Sequence, residues 1–247
     1  AIVNYMTPVS GDNTALKWSS KQGSGYTDNV GQPLLIGDYV YTTSASEVLQ
    51  INKATGTVEK RCTLRGSTGW NTVSPAYGTI GETGNKKGVV FISLMGGQMQ
   101  AVEAATMKSL WISDSACSGQ NQCPVVYDDQ TQLVYTGYWS SESAVSSYVC
   151  FDGNTGNIKW KIDHKGGFYW AGGLIYNDYL VVGSDNGDDG SSGNSQNSDY
   201  DLSTLYVINK RTGDIIDSQK TLVGDQRGGI VNCNGILYFT TKAGYLY

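Results

Sequence analysis

The segment FDGNTGNIKW (151–160) contains the pattern that decides the fold, because the same pattern recurs along the chain. Its frame is an Ile or Phe, an Asn or Asp, two variable residues and then Thr-Gly. The other copies are INKATGTVEK (51–60), INKRTGDIID (208–217), VEAATMKSLW (102–111), in which Met107 replaces the glycine, and a degenerate GDNTALKW (11–18). A motif that returns at intervals of about fifty residues indicates one structural unit repeated several times.

Each unit has the same order of apolar segments around the motif. A first segment ends in a turn, a second follows at once, a third leads into the motif and a fourth comes after it. The first segments are residues 32–38, 74–80, 123–129, 172–178 and 228–235. Four short strands per unit, separated by Gly, Asn and Asp, are typical of propeller blades. We therefore expect an all-β fold, a β-propeller of four-stranded antiparallel blades that forms a single domain over residues 1–247.

The motif itself predicts a tight turn between the third and fourth strands. Its glycine supplies a positive φ, and its Asn, Asp and Thr side chains bond the amides of the turn. Trp18, Trp111 and Trp160 follow the motif on the fourth strand. A ring on this outer strand can cover the edge of the next blade, so we interpret these three tryptophans as structural residues between blades.

The two ends of the chain predict how the propeller closes. The last residue, Tyr247, falls within the third segment of a fifth unit, and Ala15–Ser19 resemble a fourth strand. Completion of the last blade by the opposite terminus removes an open sheet edge. We favour five blades, in which Ala15–Ser19 pair beside Tyr245–Tyr247. A larger propeller with further blades outside these residues is the alternative.

Charge and hydrophobicity exclude two classes of partner. The formal net charge of the 247 residues is −5, and Lys and Arg form no cluster. Proteins that bind nucleic acids normally carry a basic patch, so we expect no nucleic-acid partner. No apolar run reaches the roughly eighteen residues that a membrane helix needs, so we expect no membrane span. The chain begins at Ala1 without a methionine, as a processed or trimmed chain would.

Cysteine spacing predicts one disulfide and no zinc site. Cys117 and Cys123 bracket the polar loop SGQNQ, which is short enough for a disulfide to close. We predict this bridge, with two unconnected thiols as the alternative. The odd total leaves at least one thiol unpaired within the chain. A zinc site is excluded, because there is no Cys-x-x-Cys and only one histidine. The other cysteines are Cys62, Cys150 and Cys233.

The loops that enter the first strands form the candidate ligand site. The first strand is the innermost of a blade, so residues before it should gather at the mouth of the central channel. Amides beside aromatic rings suit sugars or peptides, because rings offer stacking area and amides offer orientation. Solvation of the channel and packing between blades are the alternative. The candidate residues are Tyr26, Asn29, Trp70, Asn71, Gln120, Tyr169, Trp170, Asp225 and Arg227.

An acidic segment, SDNGDDGSSGNSQNSDYD (184–201), interrupts the fourth unit and is a candidate calcium site. Carboxylates in such a loop supply the oxygen ligands that Ca²⁺ prefers. Gly187 stands where a ligand would be needed and no glutamate closes the segment, so a solvated insertion of low hydrophobicity is the alternative. The candidate calcium ligands are Asp185, Asp188, Asp189, Asp199 and Asp201.

Two further residues, His164 and Trp139, require an interpretation. His164 is the only histidine and lies where a fourth strand leads into the next blade. We expect it to be an exposed linker residue rather than a general base. Trp139 follows a second strand, and we expect it in a loop on the edge opposite the channel mouth. An exposed ring there would indicate a surface for a partner.

The segments VCFDGNTGNIKWKI and LYVINKRTGDIIDSQ resemble PQQ-like β-propeller repeats, in which Thr-Gly is followed by Trp once per blade. Such repeats occur in quinoprotein alcohol dehydrogenases, in the lipoprotein subunit of the bacterial outer-membrane β-barrel assembly machinery and in uncharacterised bacterial surface proteins. The resemblance spans nearly the whole chain and implies the fold rather than a function. A quinoprotein dehydrogenase would have eight blades, two adjacent cysteines over the cofactor, and Glu, Asn and Asp around calcium. This sequence has no adjacent cysteines, so we do not expect PQQ as a cofactor.

These observations favour a secreted or cell-surface propeller that acts as a non-catalytic binding or scaffold module for a protein or glycan. A periplasmic location is an alternative. An enzyme of the quinoprotein or glycan-lyase type, with a site assembled from dispersed residues, is a second hypothesis. A purely architectural spacer is a third. We expect a monomer or part of a longer multidomain protein.

Overall fold

This computed structural model describes residues 2–6, 15–20, 31–44, 46–66, 74–140, 144–185 and 202–247. Within these ranges every regular element is a β-strand, so the predicted all-β class is confirmed. The same ranges contain no helix with the length and apolar character that a membrane crossing requires.

In the described part of the chain, four complete blades follow one another, and each is a four-stranded sheet whose strands pair antiparallel in sequence order. Blade 1 contains β3 (Leu34–Ile36), β4 (Tyr39–Ser44), β5 (Glu47–Asn52) and β6 (Val58–Thr63). Blade 2 contains β7 (Ala76–Ile80), β8 (Lys87–Leu94), β9 (Gln98–Glu103) and β10 (Ser109–Ile112). Blade 3 contains β11 (Val126–Asp128), β12 (Leu133–Gly137), β13 (Val145–Asp152) and β14 (Ile158–Lys165). Blade 4 contains β15 (Gly173–Tyr176), β16 (Tyr179–Gly183), β17 (Leu202–Asn209) and β18 (Ile215–Val223). The predicted four-stranded antiparallel blade is confirmed.

The remaining strands form two incomplete units, and they contradict the predicted closure. At the start of the chain, β1 (Ile2–Met6) pairs with β2 (Ala15–Ser20). The fifth unit contains β19 (Val231–Cys233) and β20 (Ile236–Tyr238), and Thr240 forms a bridge to Leu246. No described strand pairing joins β2 to Tyr245–Tyr247. The reason is that β1, which precedes the degenerate motif, is the third strand that pairs with β2. The prediction had assigned this position to Tyr245–Tyr247.

The repeated motif forms the expected turn. In blade 3 the Asp152 carboxylate accepts hydrogen bonds from the backbone N–H groups of Asn154 and Thr155, at 2.9 and 3.1 Å. The N–H of Gly156 bonds to the Asp152 carbonyl at 2.8 Å, and Gly156 has a φ of +79°. Because an L-residue with a side chain rarely adopts this backbone conformation, glycine is the residue that ends the turn with least strain.

Each of the three predicted structural tryptophans lies on the motif glycine of the next blade, which confirms their role. A Cβ atom added to Gly213 would lie 2.7 Å from the Trp160 ring, and one added to Gly156 or Gly56 would lie 2.6 Å from the ring of Trp111 or Trp18. The indole N–H groups of Trp18, Trp111 and Trp160 donate to the carbonyls of Lys53, Gly153 and Lys210 respectively. The missing side chain of the glycine is therefore what lets adjacent blades approach.

One interface uses a different pair of residues. Lys60 occupies the tryptophan position of blade 1, and Met107 occupies the glycine position of blade 2. The Lys60 ammonium donates to the Ala105 carbonyl at 2.6 Å, so a lysine still bonds the next blade's turn. Met107 has a φ of +57° and its side chain is buried. The tryptophan and the glycine are thus replaced together.

We expect Lys60→Trp alone to destabilise the protein, because the Met107 side chain fills the space that a glycine leaves for the ring. The double variant Lys60→Trp/Met107→Gly should recover stability, with a favourable coupling of about 1–3 kcal/mol between the two changes. Urea unfolding of the wild type, both single variants and the double variant measures this coupling. Additive effects of the two substitutions would contradict the proposed pairing.

The hydrophobic core lies between the blades. One cluster joins Phe91 of blade 2 to Val134 and Phe151 of blade 3. The next joins Tyr148 of blade 3 to Leu180 of blade 4. Strand β12 is buried at every position, because blade 3 is covered on both faces by its neighbours.

A buried ion pair also crosses the interface between blades 3 and 4. The Lys210 ammonium lies 2.9 Å from Asp128 Oδ2, and their side chains are 2% and 9% exposed. Gln130 Oε1 accepts a second hydrogen bond from Lys210 at 3.1 Å. The backbone carbonyl of Lys210 accepts hydrogen bonds from Tyr135 Oη and Trp160 Nε1. Lys210 therefore joins the two blades through both its side chain and its backbone.

The predicted Cys117–Cys123 disulfide is contradicted, since both cysteines are free thiols. The Cys123 side chain is buried in the cluster between blades 3 and 4, and burial raises its pKa to about 11. Cys117 packs against the cluster between blades 2 and 3, and its sulfur lies 3.8 Å from Ser146 Oγ. The two thiols face different layers between blades, so their short separation in sequence does not bring them together.

Candidate binding face

The loops that enter each first strand lie on the same face as the loops that follow each second strand. Successive strands of a blade run in opposite directions, so the chain returns to its starting face at the end of the second strand. Trp139, which follows β12, therefore lies beside Tyr169, which precedes β15, with ring centroids 5.1 Å apart. The prediction that Trp139 lies on the opposite edge is wrong. Strand direction alone was a sufficient signal to place it correctly.

Three aromatic side chains on this face, Trp139, Tyr169 and Trp170, form what we call the aromatic shelf. The rings of Tyr169 and Trp170 are stacked, with centroids 4.7 Å apart and planes inclined by 19°. Trp139 and Tyr169 are partly buried, whereas Trp170 is 45% exposed. The shelf therefore presents one flat ring to solvent, which stacks on Tyr169, and Tyr169 in turn packs against Trp139.

Arg227 holds the shelf from the neighbouring unit. Its guanidinium carbon lies 4.6 Å from the ring centroid of Tyr169 and 5.7 Å from that of Trp170. Its Nη2 atom lies 2.8 Å from Asp225 Oδ2 and 3.6 Å from Asp185 Oδ1. The cation is thus in contact with aromatic rings and with two carboxyl groups, which fixes its orientation.

The two carboxyl groups are completely buried, at 0% exposure for both Asp185 and Asp225. Burial raises the pKa of Asp185 to about 8, and the neighbouring Asp225 carboxylate acts in the same direction. Arg227 and the Trp139 indole act in the opposite direction but do not outweigh burial. Burial also raises the pKa of Tyr169, with Arg227 opposing the shift. Burial thus favours the neutral form of Asp185.

Backbone hydrogen bonds hold these loops together across blades. The N–H of Asp185 donates to the Gly167 carbonyl at 2.9 Å, and the N–H of Gln226 donates to the Ser184 carbonyl at 3.3 Å. The N–H of Phe168 bonds to the Tyr138 carbonyl at 3.0 Å. Three consecutive units thus contribute to one continuous surface at the shelf.

The structure brings four of the nine predicted mouth residues into direct contact, namely Tyr169, Trp170, Asp225 and Arg227. Gln120 reaches them indirectly, because its backbone carbonyl accepts a hydrogen bond from the backbone N–H of Trp139 at 3.1 Å. The other four predicted residues, Tyr26, Asn29, Trp70 and Asn71, lie outside the described residues. Asp185 lies on the same face, but it was not among the residues predicted at the mouth of the channel.

Asp185 is the one predicted calcium ligand among the described residues, and its buried carboxyl group faces the Arg227 cation and the neighbouring Asp225. The other predicted ligands, Asp188, Asp189, Asp199 and Asp201, lie outside the described residues, and calcium binding by them remains a prediction. In the described part of the chain, no three His, Cys, Asp or Glu side chains are grouped as a metal site requires.

His164 is buried rather than exposed, which contradicts its interpretation as a linker residue. It lies on β14, and its Nδ1 atom is 2.8 Å from the Tyr206 hydroxyl. Its ring also contacts Phe168, with centroids 5.8 Å apart. The long strand β14 continues to Lys165 and carries His164 into the packing between blades 3 and 4.

A cleft of about 330 Å³ on the opposite face is a weaker candidate. It lies between the β7–β8 hairpin of blade 2 and the motif turn of blade 3. The Gly81 N–H donates to both Gln132 Oε1 and Asn154 Oδ1 at 2.9 Å, so these two amides already bond the backbone. Its lining residues are Ile80, Gly81, Glu82, Asn85, Lys87, Leu110, Trp111 and Asn154.

Comparison with solved structures identifies the fold. The chain is similar to a quinohemoprotein alcohol dehydrogenase from Pseudomonas putida (TM-score 0.61, 13% identity, 90% of this chain and 40% of that one). It is also similar to a quinohemoprotein alcohol dehydrogenase from Comamonas testosteroni (TM-score 0.60, 15% identity, 86% of this chain and 40% of that one). A third match is BamB from Moraxella catarrhalis (TM-score 0.47, 14% identity, 94% of this chain and 75% of that one).

The chain spans about 40% of the length of the two dehydrogenases. No protein-family model matches the sequence, and no curated protein matches it either. At these identities the similarity establishes a fold and carries no activity with it.

Proposed function

We propose that this chain, which has the PQQ-like β-propeller fold, is a non-catalytic module that binds a protein or glycan through the aromatic shelf. Its location outside the cytoplasm, as a secreted or cell-surface protein, is part of the proposal and rests on the resemblance of its repeats to those of bacterial surface proteins. The observation that supports the binding function most directly is the exposure of Trp170, a large apolar ring that lies open to water while it is stacked on Tyr169.

The shelf has the physical properties of a recognition surface. Stacking on Tyr169 and the contact with Arg227 restrict the Trp170 ring before any ligand arrives, so binding costs little further side-chain entropy. A flat, rigid ring offers stacking area to the apolar face of a sugar or to a peptide side chain. Gln122 donates a side-chain N–H to Gln120 Oε1 beside the shelf, so polar amides lie next to the aromatic rings.

The positions of the acidic residues favour binding over catalysis. The Asp185 and Asp225 carboxyl groups lie beneath Arg227 and hold its guanidinium, and neither is exposed at the surface that a ligand would contact. A general acid or base must come within hydrogen-bond reach of the reacting group. Their arrangement is therefore suited to positioning Arg227 and the shelf.

We expect Trp170→Ala to weaken ligand binding by about 30-fold or more, as loss of a central aromatic contact typically does. Tyr176→Ala is the matched control, because Tyr176 is 42% exposed but lies at the end of β15, beside the β15–β16 turn on the opposite face. The wild type is first screened on arrays of oligosaccharides and of peptides. The strongest binder is then titrated against the wild type and both variants.

Equal affinities of the wild type and Trp170→Ala, or a larger loss in Tyr176→Ala, would refute the shelf as the binding site. The class of ligand is read from the array that responds. Turnover of the bound ligand would instead favour the enzymatic alternative.

A further inference from the structure

The contact between Asp185, Asp225 and Arg227 joins blade 4 to the fifth unit. Asp185 follows β16, whereas Asp225 and Arg227 precede β19. Both carboxyl groups approach the same nitrogen atom of Arg227, at 2.8 and 3.6 Å. The contact therefore contains two acids and one guanidinium at a boundary between units.

In this arrangement the Arg227 nitrogen lies closer to Asp225 than to Asp185, so Asp185 has the weaker contact with the cation. Both are fully buried, and Asp185 Oδ1 lies 3.6 Å from the Arg227 nitrogen, beyond ordinary hydrogen-bond distance. A buried carboxylate needs hydrogen bonds or close cations to replace its lost hydration, and at Asp185 the distant guanidinium and the Trp139 indole do not outweigh burial. The neutral acid is therefore the form that fits this position.

The groups that face Asp185 come from each loop packed against it. The loop before β19 contributes the charges of Asp225 and Arg227. The loop before β15 contributes the phenol of Tyr169, and the loop after β12 contributes the uncharged indole of Trp139. Lys242, a further residue with a charged side chain, donates its backbone N–H to the Asp225 carbonyl.

We propose that Asp185, Asp225 and Arg227 form a proton-dependent latch that closes blade 4 onto the fifth unit and thereby fixes the aromatic shelf. When the latch opens, Asp185 becomes solvated, its carboxyl O–H bond breaks and the proton passes to water. Arg227 then loses one of its two carboxyl contacts, and the rings that it supports are released. The regulatory meaning of the latch rests on the binding function proposed above, whereas the latch itself can be measured without any ligand.

The direction of the pH effect follows from the two states. The closed state keeps the Asp185 proton up to about pH 8. In the open state the solvated carboxyl group has an ordinary pKa near 4 and loses its proton above that pH. Between about pH 4 and about pH 8, each unit of pH therefore favours opening by up to tenfold. Above this window both states are ionised and the dependence ends.

Hydrogen exchange followed by mass spectrometry from about pH 5 to about pH 9 tests the latch, with intrinsic exchange rates subtracted at each pH. The reporters are the amide of Gln226, which bonds to the Ser184 carbonyl across this contact, and the amide of Asp185 itself, which bonds to the Gly167 carbonyl of the loop before β15. The reference is the amide of Ser113, which bonds to the Met99 carbonyl within blade 2. Protection of the reporters should fall with rising pH by up to tenfold per unit and level off near pH 8, while the reference stays constant. Reporter protection that does not change with pH would overturn the proposal.

Asp185→Asn provides the second measurement, because the amide has the shape of the neutral acid and cannot ionise. In this variant we expect reporter protection to become independent of pH. Asp163→Asn is the matched control on blade 3, where the Ser147 hydroxyl and then Lys161 lower the pKa of an accessible carboxyl group. A pH dependence that persists in Asp185→Asn would also overturn the proposal. If Asp185→Asn does not fold, the wild-type comparison of reporter and reference still decides. A pH-dependent latch without array binding would leave the latch standing and the binding function refuted.

Discussion

Replacing Gly213 by alanine is expected to lower the free energy of unfolding by about 2–5 kcal/mol. The new Cβ atom would lie 2.7 Å from Cγ, 2.8 Å from Cδ2 and 2.9 Å from Cβ of Trp160, all closer than carbon atoms approach one another. These atoms are near the backbone and Trp160 is buried, so the ring cannot turn away. The φ of +81° at Gly213 adds strain for any residue with a side chain. Urea unfolding measures the loss.

Gly96→Ala is the matched control for the strain alone. Gly96 has a φ of +74°, but a Cβ atom at that position would have no neighbour within 4 Å. We expect Gly96→Ala to cost only about 1–2 kcal/mol. A cost for Gly213→Ala no larger than that of Gly96→Ala would show that contact with Trp160 does not limit the approach of the blades. In a Trp160→Ala background, the Gly213→Ala change should cost no more than the control.

Replacing Lys210 by methionine is expected to cost about 3–5 kcal/mol, because it leaves the Asp128 carboxylate buried without its cation. The ammonium of Lys210 lies 2.9 Å from Asp128, and neither side chain is more than 9% exposed. Lys53→Met is the matched control. Lys53 occupies the same motif position and lies 3.0 Å from Asp38, but both side chains are exposed, so the effect should stay below about 1 kcal/mol.

The same pair predicts a pH dependence. Burial acts to raise the pKa of Asp128, but hydrogen bonds from Thr131 and Lys210 outweigh it, and the pKa is lower than the usual 3.8. A lowered pKa in the folded state means that the contribution of the pair is complete above about pH 4 and is lost as the pH falls through the folded value. The stability difference between the wild type and Lys210→Met should therefore shrink in acid. A difference that stays constant below pH 4, or a loss in Lys53→Met as large as in Lys210→Met, would contradict this account.

The fold was predictable because its signal is local and repeated. The Thr-Gly turn, the strand lengths and the tryptophan after the turn are each set by residues that are close in sequence, and repetition shows which of them matter. The role of Trp160 followed from its place on the outer strand, and its contact with Gly213 confirms that role. The predicted closure by Ala15–Ser19 was wrong. A segment can be assigned as the third strand of a blade only when its pairing partner is known, and here the partner of β2 is β1.

The disulfide and the histidine show where local inference ends. Cys117 and Cys123 are close in sequence, but their side chains face different layers between blades. His164 is flanked by polar residues in a strand that looks exposed, but its ring is buried against Tyr206 of blade 4. Both errors concern which side of a strand a neighbouring blade covers. A short segment of sequence does not specify that side.

The sequence by itself determined the repeat, the four-stranded antiparallel blade, the motif turn and the tryptophans between blades. It also placed Tyr169, Trp170, Asp225 and Arg227 on one face, because all of them precede an innermost strand. Only the tertiary structure decided that Asp185 and Trp139 join them and that Asp185 faces a guanidinium. The physical reason is that the interaction energy of a buried charge depends on its distances to charged groups in other units. Here oxygens of Asp225 and Asp185 lie 2.8 and 3.6 Å from one nitrogen atom of Arg227, and packing of the blades sets these distances.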